Sequence, residues 1–387
     1  MRSQTLIFIS PHPAGFAGLP NRPSSLISAF VDTAAFDDVV VVNRLRPDAF
    51  LRHVAGRRPV SGGWLPGISS RLPGGAALIE HPWPFGRLER RFLGGLLAGS
   101  AGRSASRVVV WVADPKSVQA VVGTDTDPVP WRVVVDAYDA WDRSPLVRGG
   151  RRRRAVSQGY VAAAAKADLI FANTTAMRDR LAGLATRNVV LLPNACPPVD
   201  RDAPRGDRSL AGLVYVGRIH ERFDSGLTSA VARALPETTL TIAGPIEREP
   251  EGWSSLVALP NVRLRGPTDV GAARELIASA AALIVPHRVD DYTRSQDAMK
   301  AWDAIASGTP VISTPIPPAI TWPAGLADVC ADTGSFVAAA RRAVEGRLEA
   351  GRDDRLAFAA LNQWSDRADA AIAAMAELPD GDDVGTP

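Results

Sequence analysis

The chain has 387 residues, of which 46% are hydrophobic and 22% are charged, and its formal net charge is +3. This composition is typical of a folded globular protein and excludes disordered and collagen-like chains, while the length favours two domains. No apolar stretch approaches the roughly 20 residues that span a bilayer and no signal-peptide pattern follows Met1, so we expect a cytoplasmic protein that could attach to the inner face of the plasma membrane.

Short β-branched apolar runs alternate with helix-like stretches in the first half of the chain. The predicted strands are residues 5–9, 39–42, 108–112, 132–135, 168–172 and 189–192. The predicted helices are residues 23–35, 151–167 and 175–182. Strands that are apolar throughout are buried on both faces, as in a parallel sheet covered by helices.

A second α/β set follows a segment rich in Pro, Asp and Arg. Its predicted strands are residues 213–216, 240–243, 262–264, 282–285 and 311–313, and its predicted helices are residues 225–235, 272–280 and 297–306, with further helices at 333–349 and 352–377. We therefore predict a Rossmann-like domain at 1–196, a linker at 197–209 and a second such domain at 210–350. Residues 351–387 are predicted to form a C-terminal helix that packs back toward the first domain, with a frayed tail.

The stretch 282–314 carries the strongest functional pattern. A strand is followed by a polar loop, by a helix that starts near Ser295 or Asp297, and by the next strand. The amides of such a helix start can bind a phosphate. Lys300 lies one turn into this helix, and Asp303 follows on the same face, where a carboxylate could accept hydrogen bonds from ribose hydroxyls. An ordinary helix cap with a surface ion pair is the alternative that these residues leave open.

This stretch resembles the donor-nucleotide segment of GT-B glycosyltransferases, in particular glycosyltransferase group 1, or family 4. The matching positions are Ala298, Lys300, Asp303, Ala306, Gly308, Pro310 and Val311. Further similar stretches are residues 133–144, 166–177, 189–198, 213–224, 240–245 and 261–267, and the most similar group is the bacterial teichuronic-acid-type transferases. The resemblance implies an α/β fold of two doubly wound, Rossmann-like parallel-sheet domains that face each other across a cleft. It also implies a nucleotide-sugar donor bound by the second domain.

By this resemblance Arg218 contacts the donor diphosphate beside Lys300, and Asp303 binds the ribose. A guanidinium suits the first role because its planar fork can grip a phosphate bidentately. The full set of donor-binding candidates is Gly217, Arg218, Arg222, Ser295, Gln296, Asp297, Lys300 and Asp303.

Two positions depart from the family pattern. The usual second basic residue is replaced by Phe223 and Asp224, and Arg222 could substitute for it. Ser295 stands where family members carry a Glu, eight residues before the ribose acid. The nearby carboxylates that could supply the missing acceptor are Asp290, Asp291 and Asp297.

Acidic residues also follow the predicted strand 132–135, at the sheet edge where a catalytic or acceptor-binding group of the first domain should lie. Asp139 and Asp142 are our catalytic candidates, ahead of Asp136, together with His12 from the loop after the first strand; turn and cap roles are the alternative. That loop resembles the family's first glycine loop, which approaches the sugar and the acceptor. Its exposed candidates are His12, Gly15, Gly18, Asn21 and Arg22.

No metal or other cofactor is expected. In retaining members of the family the leaving diphosphate helps to deprotonate the acceptor, so the protein mainly positions the partners and stabilises charge. The sequence contains no DxD-like triplet after a strand, and Cys196 and Cys330 lack the spacing of a zinc site or a disulfide framework.

Charge is distributed unevenly along the chain, with +10 over residues 1–200 and −7 over residues 201–387. Two basic segments, 86–99 and 148–154, suit an anionic membrane surface, and the first would place Leu88, Phe92 and Leu96 on one helix face. A solvated arginine face is the alternative. Nucleic acid is not expected as a partner, because no recognised binding motif is present.

The sequence therefore predicts a glycosyltransferase that moves a sugar from a nucleotide diphosphate sugar to a cell-envelope glycan or lipid-linked acceptor, with retention of configuration. One alternative is a nucleotide-sugar 2-epimerase on the same fold. Another is a catalytically inactive nucleotide-binding subunit. A nicotinamide enzyme is disfavoured, because no GxGxxG follows a strand.

Overall fold

The computed structural model describes residues 4–11, 21–45, 58–62, 65–72, 75–83, 87–101, 107–122, 129–185, 189–199, 212–347 and 351–378. Contacts divide these residues into two compact units. The first unit contains the described residues up to Leu192 and those from Arg367 onward, and the second contains those from Pro193 to Asp366. Beyond its first three residues, the predicted linker 197–209 lies outside the described residues.

The first unit is built on one sheet with strand order β3-β4-β5-β2-β1-β6-β7-β8-β9. The strands are β1 (Gln4–Ser10), β2 (Asp38–Arg44), β3 (Arg58–Gly62), β4 (Leu65–Arg71), β5 (Ala77–His81), β6 (Arg107–Val112), β7 (Arg132–Ala137), β8 (Leu169–Ala172) and β9 (Val189–Leu191). Neighbouring strands are parallel, except that β4 runs antiparallel to β3 and β5. All six predicted strands are confirmed. Strands β3, β4 and β5 were not predicted. Pro, Ser and Gly interrupt the apolar pattern of β3 and β4, and the short apolar run of β5 ends in Glu80 and His81.

Helices bury the faces of this sheet. They are α1 (Arg22–Asp32), α2 (Arg87–Ala101), α3 (Val118–Val121), α4 (Gly150–Lys166) and α5 (Thr175–Ala182). Trp111 lies within the sheet between Phe8 and Phe171, with ring centroids 5.8 and 5.1 Å away.

The apolar face of the basic segment 86–99 belongs to the core. Phe92 and Leu96 of α2 are buried in the main hydrophobic cluster of the first unit, whereas Leu88 is 39% exposed. The expectation that these three residues share one membrane-facing surface is therefore wrong. The pattern arises from packing on the sheet. The arginines of α2 remain exposed.

The second unit is a doubly wound parallel sheet with strand order β12-β11-β10-β13-β14-β15. The strands are β10 (Leu213–Val216), β11 (Leu240–Ala243), β12 (Val262–Gly266), β13 (Ala282–Val285), β14 (Val311–Ser313) and β15 (Ala327–Val329). The helices are α6 (Ser225–Ala234), α7 (Trp253–Val257), α8 (Val270–Ser279), α9 (Met299–Ala306), α10 (Thr333–Val344) and α11 (Arg352–Ala360). Separate apolar clusters cover the two sheet faces, and the predicted α/β class with two parallel-sheet domains is confirmed.

The predicted C-terminal helix 352–377 is two helices. The first is α11 and the second is α12 (Trp364–Ala376). Arg355 of α11 donates from Nε to the carbonyl oxygen of Gly308 at 3.0 Å, which places α11 on the second unit. Residues from Arg367 onward belong to the first unit. Among the described residues, no helix is long and apolar enough to cross a membrane.

Candidate active site

The site begins where two neighbouring strands of the second unit end. Strands β10 and β13 pair in parallel, so their carboxyl ends lie at the same sheet edge. Strand β10, the loops after both strands and the helix α9 bring together five residues, which we call the cation cluster: Tyr215, Arg222, His287, Gln296 and Lys300. Only Arg222, Gln296 and Lys300 were predicted from the sequence.

Lys300 lies in the first turn of α9. Its Nζ lies 4.0 Å from the centroid of the Tyr215 ring, a cation–π contact, and 3.4 Å from Nε2 of His287. The helix start has no side-chain cap, because Ala298 occupies the cap position. Burial and the neighbouring Arg222 lower the pKa of Lys300 well below its usual value of 10.5.

Arg222 is the second cation of the cluster. Its Nη1 donates to Oε1 of Gln296 at 3.1 Å. Its Nε is buried and has no hydrogen-bond partner among the described residues. Arg218 differs, because it is exposed and forms an ion pair with Glu247 at 3.0 Å.

Two histidines beside the cations are neutral near pH 7. Burial, then Lys300 and Arg222, lower the pKa of His287 well below 6.5. Burial and Arg222 lower the pKa of His220 to about 3. Within the described part of the chain, Nδ1 of His287 and Nε2 of His220 have no hydrogen-bond partner. Neutral rings with free nitrogen atoms can form hydrogen bonds to a ligand without changing the charge of the site.

The charge of the cluster is unbalanced. Among the described residues, no carboxylate forms an ion pair with Lys300 or Arg222. Glu221, next to Arg222 along the chain, pairs with Arg248, and Asp224 caps α6 by accepting from the backbone N of Leu227 at 2.9 Å. Uncompensated cations at a buried site are costly, and a bound anion would remove that cost. The arrangement is therefore suited to an anion such as a phosphate or diphosphate.

The polar loop before α9 differs from the prediction. The helix begins at Met299, not near Ser295 or Asp297, because Thr293–Ser295 form a separate 3-10 turn. Ser295 is buried and donates from Oγ to the carbonyl of Tyr292 at 2.6 Å. Asp297 faces inward, where it accepts hydrogen bonds from the backbone N of Asn194 at 2.6 Å and from Nε1 of Trp302 at 2.7 Å. Both carboxylate oxygens of Asp297 therefore accept hydrogen bonds from residues of the second unit itself.

Asp303 forms an ion pair with Arg274 of α8, at 3.2 Å from Nε. Burial raises the pKa of its carboxyl, although Arg274 opposes this shift. Its role toward a ribose stays a prediction.

The catalytic candidates Asp139 and Asp142 of the first unit bind neighbouring side chains. Asp142 accepts from both terminal nitrogens of Arg180, at 2.9 and 2.6 Å. Asp139 has a positive φ of 57° and accepts from Nδ2 of Asn173 at 3.1 Å. Positive φ in a non-glycine residue is uncommon and often occurs at functional sites. Catalytic roles for both residues stay predictions.

The loop candidates have different outcomes. Asn21 caps α1 by accepting from the backbone N of Ser24 at 3.1 Å. Arg22 was expected to be exposed, but it is 2% exposed and pairs with Asp136, so that expectation is wrong. His12, Gly15 and Gly18 lie outside the described residues.

Two glycines allow close contacts at the cation cluster, one between Gly217 and Lys300 and one between Gly244 and Gly217. A Cβ at Gly217 would lie 2.7 Å from Nζ of Lys300, and a Cβ at Gly244 would lie 2.0 Å from the carbonyl oxygen of Gly217. Both residues have positive φ, at 144° and 139°. Gly217 was predicted and Gly244 was not. The turn after each strand was the available signal for both.

Replacing Gly217 by Ala should lower the free energy of unfolding by about 1–3 kcal/mol, because its backbone conformation suits only glycine. The new methyl group should also displace Lys300. Denaturant unfolding measures the loss. Gly271→Ala is the matched control, since Gly271 is an exposed helical residue with ordinary φ, and Ala should stabilise it slightly. Equal stability of the Gly217 and Gly271 variants would contradict the strain at Gly217.

The described residues contain no group of three or more His, Cys, Asp or Glu that could hold a metal ion.

One family model matches most of the second unit. Residues 211–346, which include the whole cation cluster, match the family model "Glycosyl transferases group 1". No curated protein sequence is a significant match to the chain.

Solved structures match over almost the full length. Sucrose-phosphate synthase from Thermosynechococcus elongatus has 15% identity and a TM-score of 0.66, with 97% of this chain and 99% of that chain covered. HepE from Anabaena, in complex with UDP and glucose, has 11% identity and a TM-score of 0.66, with coverage of 97% and 100%. The UDP-forming trehalose-phosphate synthase from Burkholderia xenovorans has 12% identity and a TM-score of 0.59, with coverage of 97% and 99%. The chain therefore has the GT-B fold and carries, at residues 211–346, the domain of group 1 glycosyltransferases.

Proposed function

We propose that this glycosyltransferase takes its sugar from a nucleoside diphosphate sugar whose diphosphate binds at Lys300 and Arg222. The observation that carries the proposal is the cation cluster. Its two cations, Lys300 and Arg222, lie at the end of a parallel sheet and form no ion pair with a carboxylate of the described residues. The cluster lies within the group 1 domain. The similar HepE protein from Anabaena forms a complex with UDP and glucose, which supports the same class of donor here.

The geometry suits stabilisation of a leaving group. When the bond between the anomeric carbon and the diphosphate oxygen breaks, negative charge develops on that oxygen. In this proposal the ammonium of Lys300 and the guanidinium of Arg222 stabilise this charge. Neutral His287, 3.4 Å from Nζ of Lys300, can add a hydrogen bond.

We propose a cell-envelope glycan or lipid-linked acceptor, retention of configuration and no metal requirement. The acceptor oxygen bonds to the anomeric carbon, and its proton passes to the departing diphosphate. The sequence resemblance to bacterial teichuronic-acid-type transferases is the support for this acceptor class. Asp303 is the proposed ribose ligand, and Asp139 and Asp142 are the proposed acceptor-side residues.

Donor binding should be coupled to proton uptake. Burial and Arg222 lower the pKa of Lys300 in the free protein, and a bound diphosphate would raise it again. Protons are then taken up at pH values between the two pKa values, and donor affinity falls as pH rises through this window. Calorimetry of UDP binding in buffers of different ionisation enthalpy measures the uptake. Affinity that rises with pH would contradict this coupling.

The function is tested by incubating the purified protein with a panel of sugar nucleotides, first without acceptor and then with a membrane-lipid extract. Release of nucleoside diphosphate that depends on acceptor is the expected result and identifies the donor. Sugar interconversion without acceptor would instead identify a 2-epimerase. Nucleotide binding without either reaction would identify an inactive subunit, and Ser295→Glu would then test the missing family acid.

A further inference from the structure

A cleft on the first unit joins the two basic segments of the sequence. Its volume is about 230 Å³. The polar residues that line it are Arg90, Lys116, Gln119, Arg151, Arg154 and Gln158. Its lining residues belong to the first unit, lie outside residues 211–346 and include none of the cation cluster.

Three elements supply these side chains. Arg151, Arg154 and Gln158 are spaced i, i+3 and i+7 along α4, so they share one helix face. Lys116 and Gln119 come from the 3-10 turn Pro115–Ser117 and the helix α3 that continues it. Arg90 comes from α2. All six polar lining side chains can donate hydrogen bonds, and none of the described lining residues is acidic.

Much of the positive charge in the cleft is not neutralised by a carboxylate. Within the described residues, Arg90 and Arg154 form no ion pair or side-chain hydrogen bond. Lys116 pairs with Asp114 at 3.3 Å, and Asp114 also accepts from Arg44, which in turn pairs with Glu89. The positive charge without a carboxylate partner is therefore that of Arg90 and Arg154.

The start of α4 adds a second observation. Its cap residue, Gly149, makes no side-chain cap hydrogen bond, and its first turn has no acidic residue. Arginines at a helix start oppose the helix dipole, so this turn is electrostatically unfavourable without an anion.

We propose that this cleft is a second anion site, which binds a phosphate group presented by an anionic lipid head group or by a soluble phosphorylated compound. Guanidinium groups grip phosphate oxygens bidentately, and the glutamine amides can donate to the remaining oxygens. The site does not depend on the donor proposal, because the two sites share no residue.

The test compares two double variants that change the same charge on the same two helices. Arg90→Glu with Arg154→Glu alters the cleft, whereas Arg87→Glu with Arg152→Glu alters exposed arginines that do not line it. Binding is measured by sedimentation with phosphatidylcholine vesicles, with and without phosphatidylglycerol, and by calorimetric titration with inorganic pyrophosphate. The thermal unfolding temperatures of both variants, expected to lie close to that of the wild type, confirm that each remains folded.

Wild-type protein should bind the phosphatidylglycerol vesicles or pyrophosphate, and the arm that responds identifies the source of the phosphate. The cleft variant should lose about tenfold or more in affinity, since two charge-assisted contacts are removed, while the control should lose no more than about twofold. Equal losses in the two variants would show that only total charge matters and would overturn the site. Absence of binding in both arms would also overturn it.

Discussion

Replacing Lys300 by Met should weaken UDP binding by about 100-fold and, at the same time, stabilise the free protein by about 1 kcal/mol. The two effects have one cause. Lys300 is partly buried beside Arg222, with no carboxylate partner among the described residues. The same unbalanced charge that would attract a diphosphate is unfavourable while the site is empty.

The sign of the stability effect follows from proton linkage. The folded-state pKa of Lys300 lies below the value of the unfolded chain, so the unfolded chain binds the proton more tightly. Stability therefore rises with pH between the two pKa values, and below both of them the full penalty of the charged lysine is present. Met removes this penalty at neutral pH and keeps a sulfur near the Tyr215 ring, which is a favourable contact.

Thermal unfolding with and without UDP measures both effects. UDP should raise the unfolding temperature of the wild type but not that of the Lys300 variant. Lys166→Met is the matched control, because Lys166 is exposed in the last turn of α4 and far from α9 in sequence. It should bind UDP normally. A Lys300 variant that is less stable than the wild type would show that an anionic group already holds the lysine in the free protein.

The sequence predicted the sheets well because strand formation here depends on local apolar runs. Every predicted strand is present, whereas β3, β4, β5 and β15 were missed because their apolar runs are interrupted or short. The predicted start of α9, near Ser295 or Asp297, precedes the observed start at Met299 because Ser and Asp in a polar loop are also typical helix-cap residues. Only the fold shows that Asp297 turns inward to Trp302 and Asn194.

The candidate site was predicted only in part for a similar reason. The family pattern identified Lys300 and Arg222, but Tyr215 looked like an ordinary strand residue and His287 like a loop residue. Their proximity depends on the parallel pairing of β10 with β13, which joins segments about 70 residues apart. Arg22 was expected to be exposed because its loop is rich in Gly and Pro. Its partner, Asp136, lies 114 residues away, and no local pattern reveals such a pair.

Replacing Arg22 by Met should destabilise the protein by about 3–5 kcal/mol, the largest stability loss that we expect from a single substitution here. Arg22 donates from Nε and Nη2 to Asp136, with distances of 2.8 to 3.0 Å. Arg22 is 2% exposed and Asp136 is 1% exposed. Loss of the arginine leaves a buried carboxylate without its counter-ion at the end of β7. Denaturant unfolding measures the change, and a loss below about 1 kcal/mol would contradict it.

Two further variants distinguish the contribution of the buried charges to stability from that of side-chain packing. Asp142→Asn should cost only about 1 kcal/mol, because the Arg180–Asp142 pair is partly exposed to solvent. The double variant Arg22→Met with Asp136→Leu should regain most of the stability lost by Arg22→Met alone, since it removes both buried charges and fills their space with apolar groups. If the double variant stays as unstable as the single one, the loss comes from packing around α1. If it is stable, the carboxylate of Asp136 serves folding, and Asp139 and Asp142 remain the carboxylates after β7 to test for a role in transfer.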